Sequence, residues 1–186
     1  RLAERLHVVM MDQRGVLRSD ALGEAESCTL NDLIEDTEAL RDSLGIRRWS
    51  VIGHSFGGFV GLQYALAYPN SVERVVFENP SWDLDSSARE LLRGAAIEYA
   101  AIGDEANARA CNEAAAATAE ARVTWEAFTR LTNGLGDARN NLYVHGPEKT
   151  FFDRLVANSE IPEENWGRGG AHQRKIFAEG AVFTPI

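Results

Sequence analysis

Ser55 stands between two glycines in the run Gly53-His54-Ser55-Phe56-Gly57, a spacing suited to a serine hydroxyl that attacks a carbonyl carbon. Specificity comes from what flanks the run. Trp49, Val51 and Ile52 form a short apolar, β-branched stretch before it, which reads as a buried strand. Phe59, Leu62, Ala65 and Leu66 recur at helical spacing after it, until Pro69 ends the pattern. A chain that passes from strand to helix in so few residues must bend sharply at Ser55. Gly53 and Gly57 are expected to supply the side-chain-free neighbours that such a nucleophile elbow needs, with His54 directed away from it. The turn lifts the hydroxyl above the sheet edge. It also aims the Phe56 N–H and the positive end of the helix at the spot where an oxyanion would form. The plainer reading is a glycine-rich turn whose serine only caps the helix.

The elements that must hold this turn follow from hydrophobic periodicity. His7, Val8, Val9, Met10 and Met11 predict a buried strand that ends in the polar turn Asp12-Gln13-Arg14-Gly15. Leu30, Leu33, Ile34, Thr37, Leu40 and Leu44 predict a helix over 30–44, with Thr29 as N-cap and Gly45 as C-cap. A third strand is predicted at Val75, Val76 and Phe77, closing at Asn79-Pro80. Strands alternating with helices imply an α/β fold, with a parallel sheet and helices on both faces. Beyond Pro80 the pattern is helical and alanine-rich, as in Asn107 to Arg122 and Thr124 to Leu131, with loops at Asn133–Gly136 and Gly167–Gly170. Residues 1–80 are therefore expected to form core and 81–186 an inserted helical cap.

Composition limits the alternatives. The chain has 186 residues, of which 45% are hydrophobic and 25% charged, enough for a real core. Its net charge of −9, with scattered acidic residues, disfavours nucleic acid and a basic membrane face as partners. No apolar run approaches bilayer length, and the N-terminus lacks a signal-peptide layout. Cys28 and Cys111 have no metal-like spacing to each other or to His7, His54, His145 and His172, so no metal site is expected and a reducing cytoplasm is the favoured compartment.

With these residues in view, the chain resembles the α/β-hydrolase superfamily, and within it the proline iminopeptidase-like branch. Asp12-Gln13-Arg14-Gly15 matches that branch's turn. Ile34-Glu35-Asp36, Leu44-Gly45-Ile46, Trp49 and Gly53-His54-Ser55 follow in its order and spacing. The resemblance covers about the first eighty residues well and implies a partial α/β-hydrolase sheet. It also implies a cofactor-free serine hydrolase with Ser55 as nucleophile, acting on a small molecule or short peptide held under the cap. Trp125-Glu126 is similar to a cap motif that holds a substrate's free amine. One departure is Leu17, which stands where the branch has a second glycine after Gly15, so a different local backbone is expected.

The resemblance places the triad acid and histidine on strands after the cap, and these are expected outside this chain. Three strands alone would leave two hydrophobic edges, so further segments of the same enzyme are expected to pair with the strands at Val8 and Val76. An internal triad of Ser55, His172 and Asp83 is the alternative. Trp82 is a candidate for the pocket mouth. An esterase or related hydrolase of the same fold, and a binding protein that keeps the elbow without catalysis, are the other functional readings.

Overall fold

The computed structural model describes residues 2–144, 154, 157–178 and 180–184; His145 lies outside them. Helix α1 spans Leu30–Ser43. It starts where predicted because Thr29 and Asp32 form a capping box: the Asp32 N–H donates to the Thr29 hydroxyl at 3.0 Å, and the Thr29 N–H to the Asp32 carboxylate at 2.8 Å. It stops at Gly45, whose φ of +66° turns the chain out of the helix.

Strands β1 (Trp49–His54) and β2 (Val72–Glu78) pair in parallel, Val51 opposite Val75 and Ile52 opposite Val76. Between them runs α2 (Phe56–Ala67). It packs close to the Val51/Val75 face because Gly61 lacks a side chain there; a Cβ would lie 3.4 Å from Val51 Cγ1. The parallel α/β arrangement is as expected. The described helices cover one face of this sheet, however, and on the other Ile52 and Val76 remain 54% and 52% exposed.

The strand predicted at His7–Met11 does not form. A strand exists only as part of a ladder, and this run has no strand partner among the described residues, leaving it irregular with Met10 91% exposed. Leu17 adopts φ +49°, the left-handed region that a glycine enters freely, so the turn keeps a glycine-like backbone despite its leucine.

From Pro80 onward every regular element described is helical: α3 (Leu84–Ala101), α4 (Glu105–Ala116), α5 (Ala121–Thr132), a 3-10 helix at Asn133–Leu142, α6 (Glu163–Trp166), α7 (Gly169–Ala178) and a 3-10 turn at Ala181–Phe183. The single helix expected over 107–122 is broken at Ala117, which is extended. Arg89 fixes that break by donating to the Ala115 and Ala117 carbonyls at 2.9 and 2.7 Å, while pairing with Asp85 at 2.8 Å. The expected loop at 133–136 is 3-10 helix with a kink at Gly136, and Gly169 and Gly170 open α7 instead of ending a loop. Leu92, Tyr99, Cys111 and Phe128 centre a core shared by α3, α4 and α5. A second cluster joins Cys28, Leu33 and Val60 to Leu84, Ile176 and Val182, so the helical part is seated on the sheet part through buried apolar contact.

Four side chains of α6, α7 and their junction also grip the loop after the first turn. Asn165 donates to Leu17 O, Arg168 to Ser19 O and His172 to Arg14 O, and Lys175 reaches the carbonyls of Gly23, Glu24 and Glu26 at 3.0, 3.0 and 2.5 Å. Among the described residues no helix is long and apolar enough to cross a membrane, and no cluster of ligating side chains could hold a metal ion.

Candidate active site

Ser55 is the hinge between β1 and α2. Its backbone takes φ +50° and ψ −122°, a conformation that costs a non-glycine residue about 1–3 kcal/mol and must be held by its surroundings. Three main-chain bonds hold it. The Ser55 N–H donates to Glu78 O at 3.1 Å, and Ser55 O accepts from the N–H groups of Gly58 and Ser81 at 2.9 and 3.2 Å. The end of β2 and the residue after Pro80 thus both fasten the turn.

Gly53 is required as expected, since a Cβ there would overlap the Gly57 carbonyl. Gly57 is not the second tight position: its Cβ would meet open space. The close approach falls instead on Gly58, where a Cβ would lie 2.7 Å from Pro80 Cβ. Sequence reading missed Gly58, although the doubled glycine after Phe56 marked it. His54 points out of the turn, as expected, and lies 3.4 Å from Glu78 across the strand pair, both side chains well exposed.

Ser55 and Phe56 open onto a cavity of about 240 Å³ whose other walls include Gln13, Leu84, Trp125, His172 and Phe177. Phe56 is the first residue of α2, so its N–H is one of the helix's unpaired donors, at the positive end of the macrodipole. The Phe56 ring stacks on Phe59 at 5.9 Å and meets Phe177 edge-on at 5.8 Å, and Phe177 meets Trp125 at 5.4 Å. An aromatic ladder therefore links the turn to α5 and α7 and gives the cavity its apolar wall.

The two residues of the cap motif separate. Trp125 lines the cavity, whereas Glu126 is exposed on α5 and is not among the lining residues. No carboxylate lines this cavity among the described residues. Trp82 packs on Phe77 at 4.8 Å and is likewise absent from the wall.

The internal triad does not assemble. Asp83 caps α3, accepting from the Asp85 and Ser86 N–H groups and the Ser86 hydroxyl, so its carboxylate is committed. His172 does reach the Ser55 cavity, but its Nδ1 lies 2.8 Å from Arg14 O instead of meeting a carboxylate. Burial pushes the imidazole below its usual range and keeps it neutral near pH 7. Cys28, 3.8 Å from the same Nδ1, is buried, and burial pushes its thiol up, away from nucleophilic use.

Arg14 explains why the turn and α1 belong together. Its guanidinium forks onto Asp36 with two bonds of 2.6 Å and lies 3.4 Å from Asp32. Gln13 is thereby set into the cavity wall and Arg14 O is presented to His172.

An elbow serine on a parallel α/β sheet, at the N-terminus of the following helix, defines a hydrolase-type fold, and the family comparison agrees. Residues 1–181 match the family model described as alpha/beta hydrolase fold, and the chain belongs to that family. Among curated proteins it is 37% identical over 86 residues to the proline iminopeptidase of Xylella fastidiosa strain 9a5c, covering 44% of this chain and 28% of that one. It is 42% identical over 69 residues to the proline iminopeptidase of Neisseria gonorrhoeae, covering 37% and 22%. It is also 39% identical over 79 residues to the "Putative carbamate hydrolase RutD" of Cronobacter turicensis, covering 42% and 29%. The matched stretches thus span less than a third of each relative. No solved structure matches the chain.

Proposed function

We propose that this chain is the nucleophile-bearing part of a serine hydrolase that cleaves a small peptide, amide or ester, with release of an N-terminal residue as in proline iminopeptidases the first reading. The observation that carries it is the strained Ser55 at the start of α2, opening onto a small, largely apolar cavity under Trp125. Ser55 Oγ adds to the substrate carbonyl carbon and gives its proton to a base, while the new oxyanion meets the Phe56 N–H. Collapse expels the protonated amine or alcohol, and water then releases the acyl group from Ser55. No organic cofactor or metal enters this scheme.

The base, its orienting acid and a second oxyanion donor are assigned to polypeptide outside these 186 residues. Asp83 is committed to its cap, and His172 meets a main-chain carbonyl where a triad histidine meets a carboxylate and shares no hydrogen bond with Ser55, which supports that assignment. The half-exposed Ile52 and Val76 support further segments of the same enzyme closing over the sheet. Residues 1–80 then serve as core and 81–186 as cap, and two buried free cysteines are compatible with a cytoplasmic setting.

A second reading, an esterase or carbamate-type hydrolase, is favoured by one observation. Glu126 is exposed, and among the described residues the cavity wall offers no carboxylate to a cationic amine. Reaction of the full-length protein with a fluorophosphonate, read by intact mass and peptide mapping, tests the shared chemistry. An adduct on Ser55 that is absent in Ser55→Ala is expected; an unlabelled protein would instead be a binding protein with a retained elbow. Turnover of L-proline p-nitroanilide but not of its N-blocked form marks the first reading, and equal turnover of blocked amides or simple esters marks the second.

A further inference from the structure

His172 has one nitrogen engaged and one open. Nδ1 lies 2.8 Å from the Arg14 carbonyl, which can only accept, so Nδ1 carries the proton. In the neutral ring the lone pair then sits on Nε2. Nε2 makes no hydrogen bond among the described residues and is not one of their sealed, unpartnered polar atoms, while the side chain as a whole is only 8% exposed and lines the Ser55 cavity. His172 thus borders the space that holds the nucleophile and carries a nitrogen that no described group engages.

The rest of the wall sets the character of a ligand. Phe56, Leu84, Trp125, Ile176 and Phe177 are apolar, and Gln13 and Gln173 are neutral. A cation buried there would meet no counter-charge among the described residues, which is costly, whereas a neutral N–H or O–H can be satisfied by one well-placed acceptor.

We infer that His172 is a substrate-binding residue whose Nε2 accepts a hydrogen bond from a neutral N–H or O–H group of a small apolar substrate while the substrate's carbonyl lies over Ser55. The inference rests on the ester or carbamate-type reading of the serine hydrolase for the placement of that carbonyl, and it names the substrate class: uncharged acyl groups carrying a hydrogen-bond donor. Burial keeps the ring neutral, the only state in which Nε2 can accept. Arg14 holds the ring through its carbonyl and is itself held by Asp36, so the acceptor is fixed by the turn on the sheet side of the cavity. Ser55 and His172 share no hydrogen bond, which separates this role from that of a base acting directly on the hydroxyl.

The test uses the full-length protein and two esters that differ by one donor, the p-nitrophenyl esters of N-acetylglycine and N-acetylsarcosine. Wild type is expected to favour the N–H ester by about tenfold or more in kcat/KM, the size set by one satisfied buried hydrogen bond. His172→Phe is expected to remove most of that preference by raising KM for the N–H ester, while Ser55 still takes the fluorophosphonate. His172→Gln keeps a donor for Arg14 O and an acceptor oxygen, and is expected to restore part of the preference. Equal kcat/KM for the two esters in wild type, or a preference unchanged in His172→Phe, overturns the inference. So does loss of Ser55 labelling in a folded His172→Phe, which would make His172 the base. If neither ester is turned over, fluorophosphonate labelling of Ser55 decides the hydrolase reading separately, and binding of the matching methyl esters to Ser55→Ala, followed by NMR, decides the contact. Preference for the N–H ester that vanishes in His172→Phe upholds it, and equal binding overturns it.

Discussion

Gly53, Gly57 and Gly58 share one turn and have different reasons to be glycine. Only Gly53 and Gly58 face atoms that a Cβ would strike. Gly53→Ala is therefore expected to destabilise the protein by about 2–3 kcal/mol, and Gly57→Ala to be tolerated, as measured by urea unfolding. Leu17 presents the opposite case, a bulky residue held at φ +49° with Asn165 donating to its own carbonyl and Arg168 to that of Ser19. Leu17→Gly relieves backbone strain of about 1–2 kcal/mol, offset in part by the greater freedom of glycine in the unfolded chain. A net gain of about 0.5–1 kcal/mol in the same measurement is expected, and a loss would show that the leucine side chain contributes more than its backbone strains.

Helix α1 is joined to α2 and β1 by a polar network instead of a purely apolar seam. Trp49 Nε1 donates to the Tyr64 hydroxyl at 3.0 Å, Tyr64 donates to Glu38 at 2.7 Å, and Ser71 and Arg41 complete the carboxylate's partners. Arg41, then the Tyr64 and Ser71 hydroxyls, hold Glu38 down to about 2, while burial and the Glu38 bond push Tyr64 up to about 12. A carboxyl depressed in the folded state contributes stability that is complete above its unfolded value of 4.5 and is lost as pH falls toward 2. Unfolding midpoints followed across that window are expected to fall in wild type and to fall less steeply in Glu38→Gln. Thr29→Ala removes one half of the capping box and is expected to cost about 1 kcal/mol. Little change there would mean that packing of Leu33 and Ile34 alone sets where α1 begins.

The free sheet face and the run at 7–11 both leave apolar side chains open to solvent. Ile52 and Val76 on the free sheet face, together with Val8 and Met10 in the unpaired run, are 40% to 91% exposed, and both outer strand edges lack a described partner. Unpaired parallel edges beside exposed β-branched side chains invite association with other chains. The 186-residue chain prepared alone is expected to self-associate with rising concentration in analytical ultracentrifugation and to bind a hydrophobic dye. A monodisperse, dye-silent sample would show that this surface is tolerated without cover. The grip of Lys175, Arg168, Asn165 and His172 on the 14–26 loop is the opposite feature, a set of side-chain bonds to backbone carbonyls that fastens the far end of the chain to its beginning.

Local chemistry by itself determined the elbow at Ser55, the start and end of α1, the strand at 49–54 and the change to helix after Pro80. Each depends on neighbours within a few residues: glycines beside a serine, a threonine three residues before an aspartate, or a proline after an apolar repeat. Tertiary structure decided whether His7–Met11 found a ladder partner, because strand formation depends on another segment's free edge. It decided that Gly58, not Gly57, meets Pro80, that α4 ends where Arg89 reaches its carbonyls, and that Glu126 turns outward while Trp125 turns in. It also brought His172 to Arg14 O from 158 residues away. Contacts between residues so distant in the chain leave no periodicity and no local motif, since they are set by how packed surfaces meet.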